Sequence, residues 1–410
     1  MVLRLAFYLS FLAFFWGCSD PERDNPTDPG SNNFVGSSSS IKSSSSNDDK
    51  PKPSSSSETQ VSSSSGINLP SSSSNYVEQS SGGTTVTVTP IKTDDGTILR
   101  GGNLAAKLGW LERYAESHNT YILEISANDN SSSRTLQYSG AIDITIILRS
   151  DAKNRIIKLS SNGTMFTVKT NVTFILDNNI TLQGHSQNTG VLVNVDGGIF
   201  IMNDGATIAG NSGVAVIVGE QYGNSGTFTM NGGIISGNSS NGIWLRKGEF
   251  AMNGGIISDN SGNGVYLDNG TFSMTDGTIS GNSSSGVYVN SGTFSMTDGT
   301  ISSNTANRGG GVHLNSGIFS MRGGTITGNT ASEYGGGVYR NNGTFTKTGG
   351  TITGYNSDPN GGNMVKDGAG AMIRRGHAVY INATTRKETT AGQEDNLSAN
   401  GSTTTGGWDA

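Results

Sequence analysis

The chain has 410 residues, a net charge of −6, 14% charged residues, 32% hydrophobic residues and 60 glycines. So few large apolar side chains do not favour two or three ordinary globular domains, although the length alone would allow them. The negative charge and the lack of a basic cluster exclude nucleic acid as a partner, because such binding requires positive charge against the phosphates.

The first 18 residues have the pattern of a secretion signal. Arg4 is followed by an apolar run from Leu5 to Trp16, and Gly17 precedes Cys18. The run is too short to span a bilayer, which takes about 20 residues. The pattern therefore predicts that the protein is exported.

Gly17 and Cys18 resemble the lipobox of bacterial lipoproteins, in which a peptidase cuts before a cysteine that is then lipidated. Phe15 and Trp16 depart from the usual motif, and a plain cleaved signal with an incidental cysteine is the alternative. The resemblance implies a protein that is lipid-anchored in the bacterial outer membrane through Cys18 and exposed at the surface. Cys18 is the only cysteine, so no thiol remains for disulfides, metal binding or catalysis.

Residues 19–83 are predicted to form a disordered linker. Five blocks of four serines occur in it, separated by Lys, Asp, Pro and Asn. A segment of this composition cannot bury enough apolar surface to fold. We therefore expect it to tether a folded domain to the membrane.

Residues 84–120 are predicted to cap that domain. The alternation in Thr85–Thr89 indicates a strand. From Asn103 to His118, apolar residues recur at helical spacing after an asparagine suited to an N-cap, which predicts one amphipathic helix. This helix would cover the open apolar end and the unpaired strand edges of a repeat structure.

A repeating cassette predicts the fold of residues 121–382. In its regular part, residues 198–342, each copy holds three short strand-like runs, and the copies start 28, 22, 22, 22, 25 and 26 residues apart. The starts are Gly198, Gly226, Gly248, Gly270, Gly292, Gly317 and Gly343. Each copy can bury apolar surface only against its neighbours. The pattern predicts an all-β parallel solenoid of about nine or ten coils with three strands per coil.

Side-chain parity places three apolar columns inside the solenoid. They are a Phe column (Phe200, Phe228, Phe250, Phe272, Phe294, Phe319, Phe345), a Met column (Met202, Met230, Met252, Met274, Met296, Met321) and an Ile column (Ile208, Ile235, Ile257, Ile279, Ile301, Ile326, Ile352). An asparagine recurs after the second strand, at Asn211, Asn238, Asn260, Asn282, Asn304 and Asn329. Stacked Asn side chains can hydrogen-bond from coil to coil, so we interpret all four columns as structural.

Three parallel strands per coil, 22-residue coils and the Asn-bearing turn resemble the right-handed parallel β-helix of the pectate-lyase-like superfamily. The segments GGTITGNTAS and GGGVY also resemble repeats of bacterial polymorphic outer-membrane proteins and of adhesin-like surface proteins. The resemblance covers roughly Tyr121 to Ile381. It implies the fold but not one activity, because the proteins that share this fold include lyases, hydrolases, adhesins and antigens.

The outward positions of the first and second strands do not favour catalysis. Most are Thr or Ser, whose hydroxyl groups do no acid–base work near pH 7. Asp276 and Asp298 lie one coil apart and form a weak candidate Ca²⁺ site, but Gly232 and Gly254 hold the same corner in earlier copies, so turn structure explains them. The four histidines show no metal-ligand spacing, and no cofactor is expected.

One outward column of the third strand is not explained by folding or turn structure, and we name it the aromatic column. Its members are Trp244, Tyr266, Tyr288, His313 and Tyr339. Coils about 4.8 Å apart would turn these rings into a flat strip roughly 19 Å long. The outward polar residues beside it are Arg246, Asp268, Asn290 and Asn315. We interpret the strip as a polysaccharide site with sugar faces on the rings; high β propensity of these residues is the alternative.

The last coil departs from the pattern. Lys347 replaces the expected Met, and Arg340 replaces the expected inward Leu. A loop insertion, residues 355–377, precedes a last strand at Ala378–Ile381 and is either a functional loop or a closure of the core that pairs Lys347. It carries Lys366, Asp367, Arg374 and Arg375. Residues 383–410 are expected to cover the C-terminal end.

The sequence thus predicts a monomeric, lipid-anchored surface protein with a non-catalytic binding or adhesive role toward plant cell-wall or cell-surface polysaccharide. A polysaccharide lyase or glycoside hydrolase is the first alternative, with its site in the early coils (Asp143 to Asp177) or in the late insertion. A passive surface stalk or antigen is the second alternative.

Overall fold

The structure is a computed structural model that describes residues 76–79, 85–220, 222–355, 361–373, 376–381, 385–386 and 401–402. The predicted signal with Cys18, most of the linker, Arg374, Arg375 and most of the tail lie outside these residues. The described chain forms a right-handed parallel β-helix of about ten turns, which confirms the predicted fold class. Within this part of the chain, no helix has the length and apolar character needed to cross a membrane.

Three long sheets surround one apolar core, and their strands are numbered here in chain order. The first sheet contains β1 (Tyr76–Gln79), β2 (Thr85–Thr93), β3 (Gly96–Arg100), β4 (Thr120–Ile125), β7 (Ile144–Ser150), β10 (Val172–Leu176), β13 (Ile199–Met202), β16 (Gly226–Met230), β19 (Gly248–Met252), β22 (Thr271–Met274), β25 (Thr293–Met296), β29 (Ile318–Met321), β33 (Thr344–Lys347) and β38 (Gly401–Ser402). The second sheet contains β5 (Asp129–Ser131), β8 (Arg155–Leu159), β11 (Ile180–Gln183), β14 (Thr207–Ala209), β17 (Ile234–Ser236), β20 (Ile256–Ser258), β23 (Thr278–Ser280), β26 (Thr300–Ser302), β30 (Thr325–Thr327) and β34 (Thr351–Ile352).

The third sheet contains β6 (Arg134–Leu136), β9 (Phe166–Lys169), β12 (Val193–Asp196), β15 (Val216–Val218), β18 (Ile243–Leu245), β21 (Val265–Leu267), β24 (Val287–Val289), β28 (Val312–Leu314), β32 (Val338–Arg340), β36 (Val379–Ile381) and β37 (Thr385–Arg386). A fourth sheet has three parallel strands, β27 (Thr305–Arg308), β31 (Thr330–Tyr334) and β35 (Met364–Val365). Its strands come from chain segments that connect the second sheet to the third, and the sequence did not predict it.

The apolar columns fill the core as predicted. Identical residues pair in register from coil to coil, as Phe228 does with Phe250 and Met230 with Met252. From Phe200 to Phe345, successive ring centroids lie 4.7–4.9 Å apart. The Phe, Met and Ile columns are all buried. Each core side chain therefore packs against its equivalent in the next coil, as close-packed protein interiors require.

The Asn column forms the predicted buried ladder of hydrogen bonds. The Asn260 side chain donates to Oδ1 of Asn282 at 3.0 Å, and that same Oδ1 accepts the backbone N–H of Asn260 at 3.1 Å. The pattern repeats along the helix, and Asn188 and Asn363 extend the ladder at its two ends. Each turn thus satisfies its buried polar groups through the next coil, which explains an asparagine in every copy.

The N-terminal region closes one end of the β-helix. Helix α1 (Leu104–Tyr114) begins after Asn103, whose Oδ1 accepts the N–H of Ala106 at 2.8 Å, as an N-cap does. The helix ends four residues before the predicted His118, because Ala115 is extended. Strand β1 lies inside the predicted disordered linker but pairs antiparallel with β2.

The other end of the β-helix is covered by short returning strands. Strand β38 pairs antiparallel with β33, and β37 pairs antiparallel with β36. Lys347 occupies the Met position fully buried, and burial lowers its pKa. Arg340 stands in register with Leu314, but its guanidinium turns back and donates to the carbonyl of Gly343 at 2.6 Å. Part of the late insertion is not a free loop, since it supplies β35 to the fourth sheet.

Candidate functional site

The members of the aromatic column stand in line on the third sheet, as the sequence predicted. Trp244 pairs in register with Tyr266, Tyr266 with Tyr288, Tyr288 with His313, and His313 with Tyr339. The residues on either side of the first four rings, such as Val265 and Leu267, are buried in the core. Strand alternation therefore directs every ring outward.

The rings do not form a flat strip with their faces toward solvent, so that expectation was wrong. The rings of Tyr266 and Tyr288 stack on each other, with centroids 5.0 Å apart and planes 11° apart. His313 packs on Tyr288 at 4.5 Å. The coil spacing is close to the distance at which aromatic rings attract one another, so the faces meet within the column. What remains accessible is the ring edges and the phenol groups.

Trp244 ends the column on the N-terminal side. Its ring meets Tyr266 edge-on, at 84° between planes, and the guanidinium of Arg246 lies 4.2 Å over the ring. Arg246 also forms an ion pair with Glu220 at 3.2 Å. The indole N–H is buried and has no hydrogen-bond partner among the described residues. One face of Trp244 is thus occupied by Arg246 through a cation–π contact.

Tyr339 is not an accessible member of the site, which corrects the sequence-based prediction. It is only 3% exposed, because the rings of Tyr334 and Tyr380 lie 6.2 and 5.8 Å from it. Tyr334 belongs to the fourth sheet, and the guanidinium of Arg308 lies 5.7 Å over the Tyr339 ring. The outward direction of Tyr339 was predicted correctly, but a layer that the sequence did not predict covers it.

The polar residues beside the rings bond largely to one another. Asn290 donates to Asp268 at 2.8 Å, Asn315 to Asn290 at 3.0 Å, and Asn341 to Asn315 at 3.0 Å. They form a second, half-buried ladder that ends on a carboxylate. Their main role is therefore to fix the edge of the third sheet. A sugar hydroxyl could bond only to those donor and acceptor atoms that the ladder does not use.

The fourth sheet forms a wall beside the aromatic column. Arg308 on β27 donates through Nε to Oε2 of Glu333 on β31 at 2.6 Å, and the two side chains remain 44% and 42% exposed. Sequence reasoning missed both residues, although a signal existed. The third strand begins five residues after Asn282 but eight after Asn304. The coils that are 25 and 26 residues long carry their extra residues here.

Wall and rings enclose a cleft of about 500 Å³, within the usual range of about 300–1,000 Å³ for small-molecule sites. We refer to it as the cleft. It is lined by Asn263, Tyr266, Ser284, Ser285, Tyr288, Ala306, Asn307, Arg308, His313 and Glu333. The lining therefore combines aromatic edges, hydroxyl and amide groups and one ion pair.

Burial changes the proton affinities of the rings in the cleft. It raises the pKa of Tyr266 and of Tyr288, so both phenols stay protonated near neutral pH. Burial, together with the charge of Arg308, lowers the pKa of His313 from 6.5 to about 4. His313 is therefore neutral at physiological pH, and the charges of the cleft are those of Arg308 and Glu333.

The structure does not bring the carboxylates of the candidate metal pair into a metal site. Asp276 and Asp298 are exposed, and each accepts the N–H of the following glycine, at 2.6 and 2.8 Å. Among the described residues, no group of three or more His, Cys, Asp or Glu is placed to hold a metal ion. In the late insertion, Asp367 accepts the N–H groups of Ala369 and Ala371, which holds a local turn.

A second cavity of about 390 Å³ lies under the N-terminal cap. Lys107 is buried there and donates to the carbonyl of Gly102 at 2.9 Å, while Asp129 accepts the N–H of Leu104 at 2.6 Å. Burial lowers the pKa of Lys107 to about 8. These bonds tie the start of α1 to the first coils, so we interpret this cavity as part of the cap.

Comparison with protein-family models, with curated proteins and with solved structures finds no match for this chain. Function is therefore inferred from the chemistry of the cleft.

Proposed function

We propose that this chain is an exported, lipid-anchored surface protein that binds polysaccharide in the cleft without cleaving it. The secretion signal and the Gly17–Cys18 pair support the anchor. The parallel β-helix with its Asn-bearing turn supports membership of the pectate-lyase-like superfamily. The adhesin-like repeats support a binding role, and the protein would act as a monomer at the outer-membrane surface.

The cleft carries the binding part of the proposal. A sugar unit presents hydroxyl groups around its rim and C–H groups on its faces. The edges and phenol groups of Tyr266 and Tyr288 offer both kinds of contact. Opposite them, Arg308 supplies donors and Glu333 supplies acceptors, and both are half-exposed. An amphipathic lining with a few placed polar groups is what a site for a polar ligand requires.

The composition of the cleft favours binding over hydrolysis. Glycosidases use two carboxyl groups that flank the scissile bond. Among the described residues that line the cleft, Glu333 is the single carboxylate, and it is paired with Arg308. In the early coils, Asp143 pairs with His118 at 3.1 Å and Asp151 with Arg155 at 3.1 Å, so these carboxylates have local partners.

Retention on insoluble glycans tests the proposal. The full chain is mixed with cellulose, xylan and mannan, and bound protein is measured after washing. Wild type should be retained on at least one glycan, and Tyr288→Ala and Glu333→Ala should each lose at least about tenfold in affinity. Tyr114→Ala, a change at a 40% exposed residue on α1, is the matched control and should bind normally. No retention of wild type, or equal retention of all variants, would overturn the proposal.

The anchor has its own test. Cells that express the chain are fed a labelled fatty acid, and the label should appear on wild type but not on Cys18→Ser. Wild type should fractionate with the outer membrane, and external protease should remove it from intact cells. Label on neither protein would refute the lipid anchor and leave the cleft untouched.

A further inference from the structure

The cleft is open at its N-terminal end and closed at its C-terminal end. On the N-terminal side, the third strand starts five residues after the ladder asparagine in the coils of Trp244, Tyr266 and Tyr288. The described strands of the fourth sheet begin only with β27, in the coil of His313. The wall is therefore absent from the described coils on the Trp244 side, and a bound chain could leave the cleft there along the β-helix axis.

On the C-terminal side, the wall closes onto the aromatic column. The rings of Tyr334 and Tyr380 pack at 4.5 Å between centroids and cover Tyr339. The guanidinium of Arg308 lies over Tyr334 and Tyr339, at 5.6 and 5.7 Å. These four side chains fill the space through which a ligand would have to continue past His313. The cleft is therefore blind at this end.

We infer that the cleft holds one end of a polysaccharide chain, about three sugar units long, and not a stretch from its middle. This inference rests on the proposed polysaccharide binding. The rings that line the cleft, Tyr266, Tyr288 and His313, belong to three successive coils, each about 4.8 Å high, which gives a usable length of about 14 Å. A chain passing through both ends would collide with the Tyr334–Tyr380 pair.

The closed end also carries groups that suit a chain terminus. A terminal sugar has one more free hydroxyl than an internal sugar, because no further linkage uses it. The Arg308–Glu333 pair stands at the closed end and remains 44% and 42% exposed, so it can donate to and accept from such a hydroxyl. The charges of Arg308 and Glu333 compensate each other and His313 is neutral near pH 7, so the site is uncharged overall and fits the terminus of a neutral chain.

End-blocked oligosaccharides test this inference. Cello-, xylo- and manno-hexaose are titrated by calorimetry against the full chain, each in three forms. One form is unmodified, one carries an aminobenzamide group at the reducing end, and one carries a methyl ether on the 4-hydroxyl of the non-reducing end. One modification should weaken binding at least about tenfold, and the other should change it by less than about twofold. Affinity should stop rising beyond three or four sugar units.

A variant that opens the closed end of the cleft tests the same inference through a gain of binding. The double change Tyr334→Ala and Tyr380→Ala should restore binding of the hexaose that wild type rejects. Equal binding of all three forms by wild type would overturn end recognition and leave the proposed function standing. Equal loss with both modifications would also overturn it, because it would mean two closed ends. If no unmodified hexaose binds, the proposed function itself fails.

Discussion

The phenol rings of Tyr266 and Tyr288 lie face to face, 5.0 Å apart between centroids and 11° apart in plane. Such stacking stabilises neighbouring coils, as it does for the buried Phe rings on the first sheet. It also uses the ring faces on which a sugar would otherwise stack. A ligand in the cleft must therefore contact ring edges and phenol oxygens.

The phenol groups should accordingly contribute more to binding than the rings. The double change Tyr266→Phe and Tyr288→Phe keeps the stack and removes both oxygens, and each lost hydrogen bond contributes about 0.5–1.5 kcal/mol. We expect a loss of about tenfold or more in affinity for the best-bound hexaose, measured by calorimetry. Thermal unfolding should shift little, because the stack is retained. An affinity within twofold of wild type would show that the oxygens do not contact the ligand.

Binding should depend little on salt and should disfavour acidic glycans. Arg308 is already paired with Glu333, and His313 is neutral near pH 7, so the cleft offers no unpaired positive charge among its described residues. Salt screens interactions between unlike charges but not hydrogen bonds to a neutral sugar. Affinity for a neutral hexaose should change less than twofold between 0.05 and 0.5 M NaCl, and polygalacturonate should bind at least about tenfold more weakly. Tighter binding of polygalacturonate, lost in high salt, would contradict this.

Much of the fold followed from the sequence because a solenoid repeats its environment in every coil. Phe250, Met252 and Asn260 each recur at one position per copy, so parity and period were enough to place them inside. The same reasoning directed Trp244 and Tyr288 outward. Only contacts between equivalent positions of neighbouring coils are predictable in this way.

The cleft itself was not predicted, because it depends on residues that break the repeat. Arg308 and Glu333 lie in the extra residues of two longer coils, which have no equivalent position in the 22-residue coils. Tyr339 points outward as predicted, and Tyr380 follows it in register one coil on, but no periodic rule could show that Tyr334 of the fourth sheet would pack against both rings. Ring orientation depends on rotamers, which the period of a sequence does not specify.

The buried Asn ladder should be a major source of stability. Asn260→Ala would remove the oxygen that accepts both the backbone N–H and the side-chain N–H of Asn238, at 3.2 and 2.9 Å, within a buried turn. Each buried donor left without a partner costs about 1–3 kcal/mol. We expect a loss of about 3 kcal/mol in unfolding free energy, seen in urea titrations followed by circular dichroism. Asn253→Ala is the matched control, because exposed Asn253 makes its bonds at the surface and should lose under about 1 kcal/mol.

His313 should make the protein less stable in mild acid. Its pKa is about 4 in the folded chain and 6.5 without burial, so the unfolded chain binds the proton more readily. Above about pH 6.5, His313 is neutral in both states and does not reduce the free energy of unfolding. As the pH drops toward about 4, its protonation in the unfolded chain lowers that free energy by on the order of 3 kcal/mol. His313→Asn should remove this part of the slope when urea midpoints are compared between pH 7 and 4.5. The carboxylates titrate in both proteins, so identical slopes would mean that His313 is protonated freely in the folded chain.

Shortening the wall should abolish glycan binding and leave the β-helix folded. In the coil of Tyr288, three serines connect Asn282 to Gly286, whereas in the coil of His313 the segment Thr305–Gly310 stands at the same place. Replacing Thr305–Gly310 by three serines restores a 22-residue coil and removes Arg308 together with β27. The ladder asparagine and the third strand remain, so the spectrum and the urea midpoint should stay close to wild type. Glycan retention should be lost, because Glu333 would lose Arg308 and the cleft beside the aromatic column would lose one of its walls. Retained binding with a normal fold would mean that the aromatic column binds glycan without the wall, and the cleft would then not be the site.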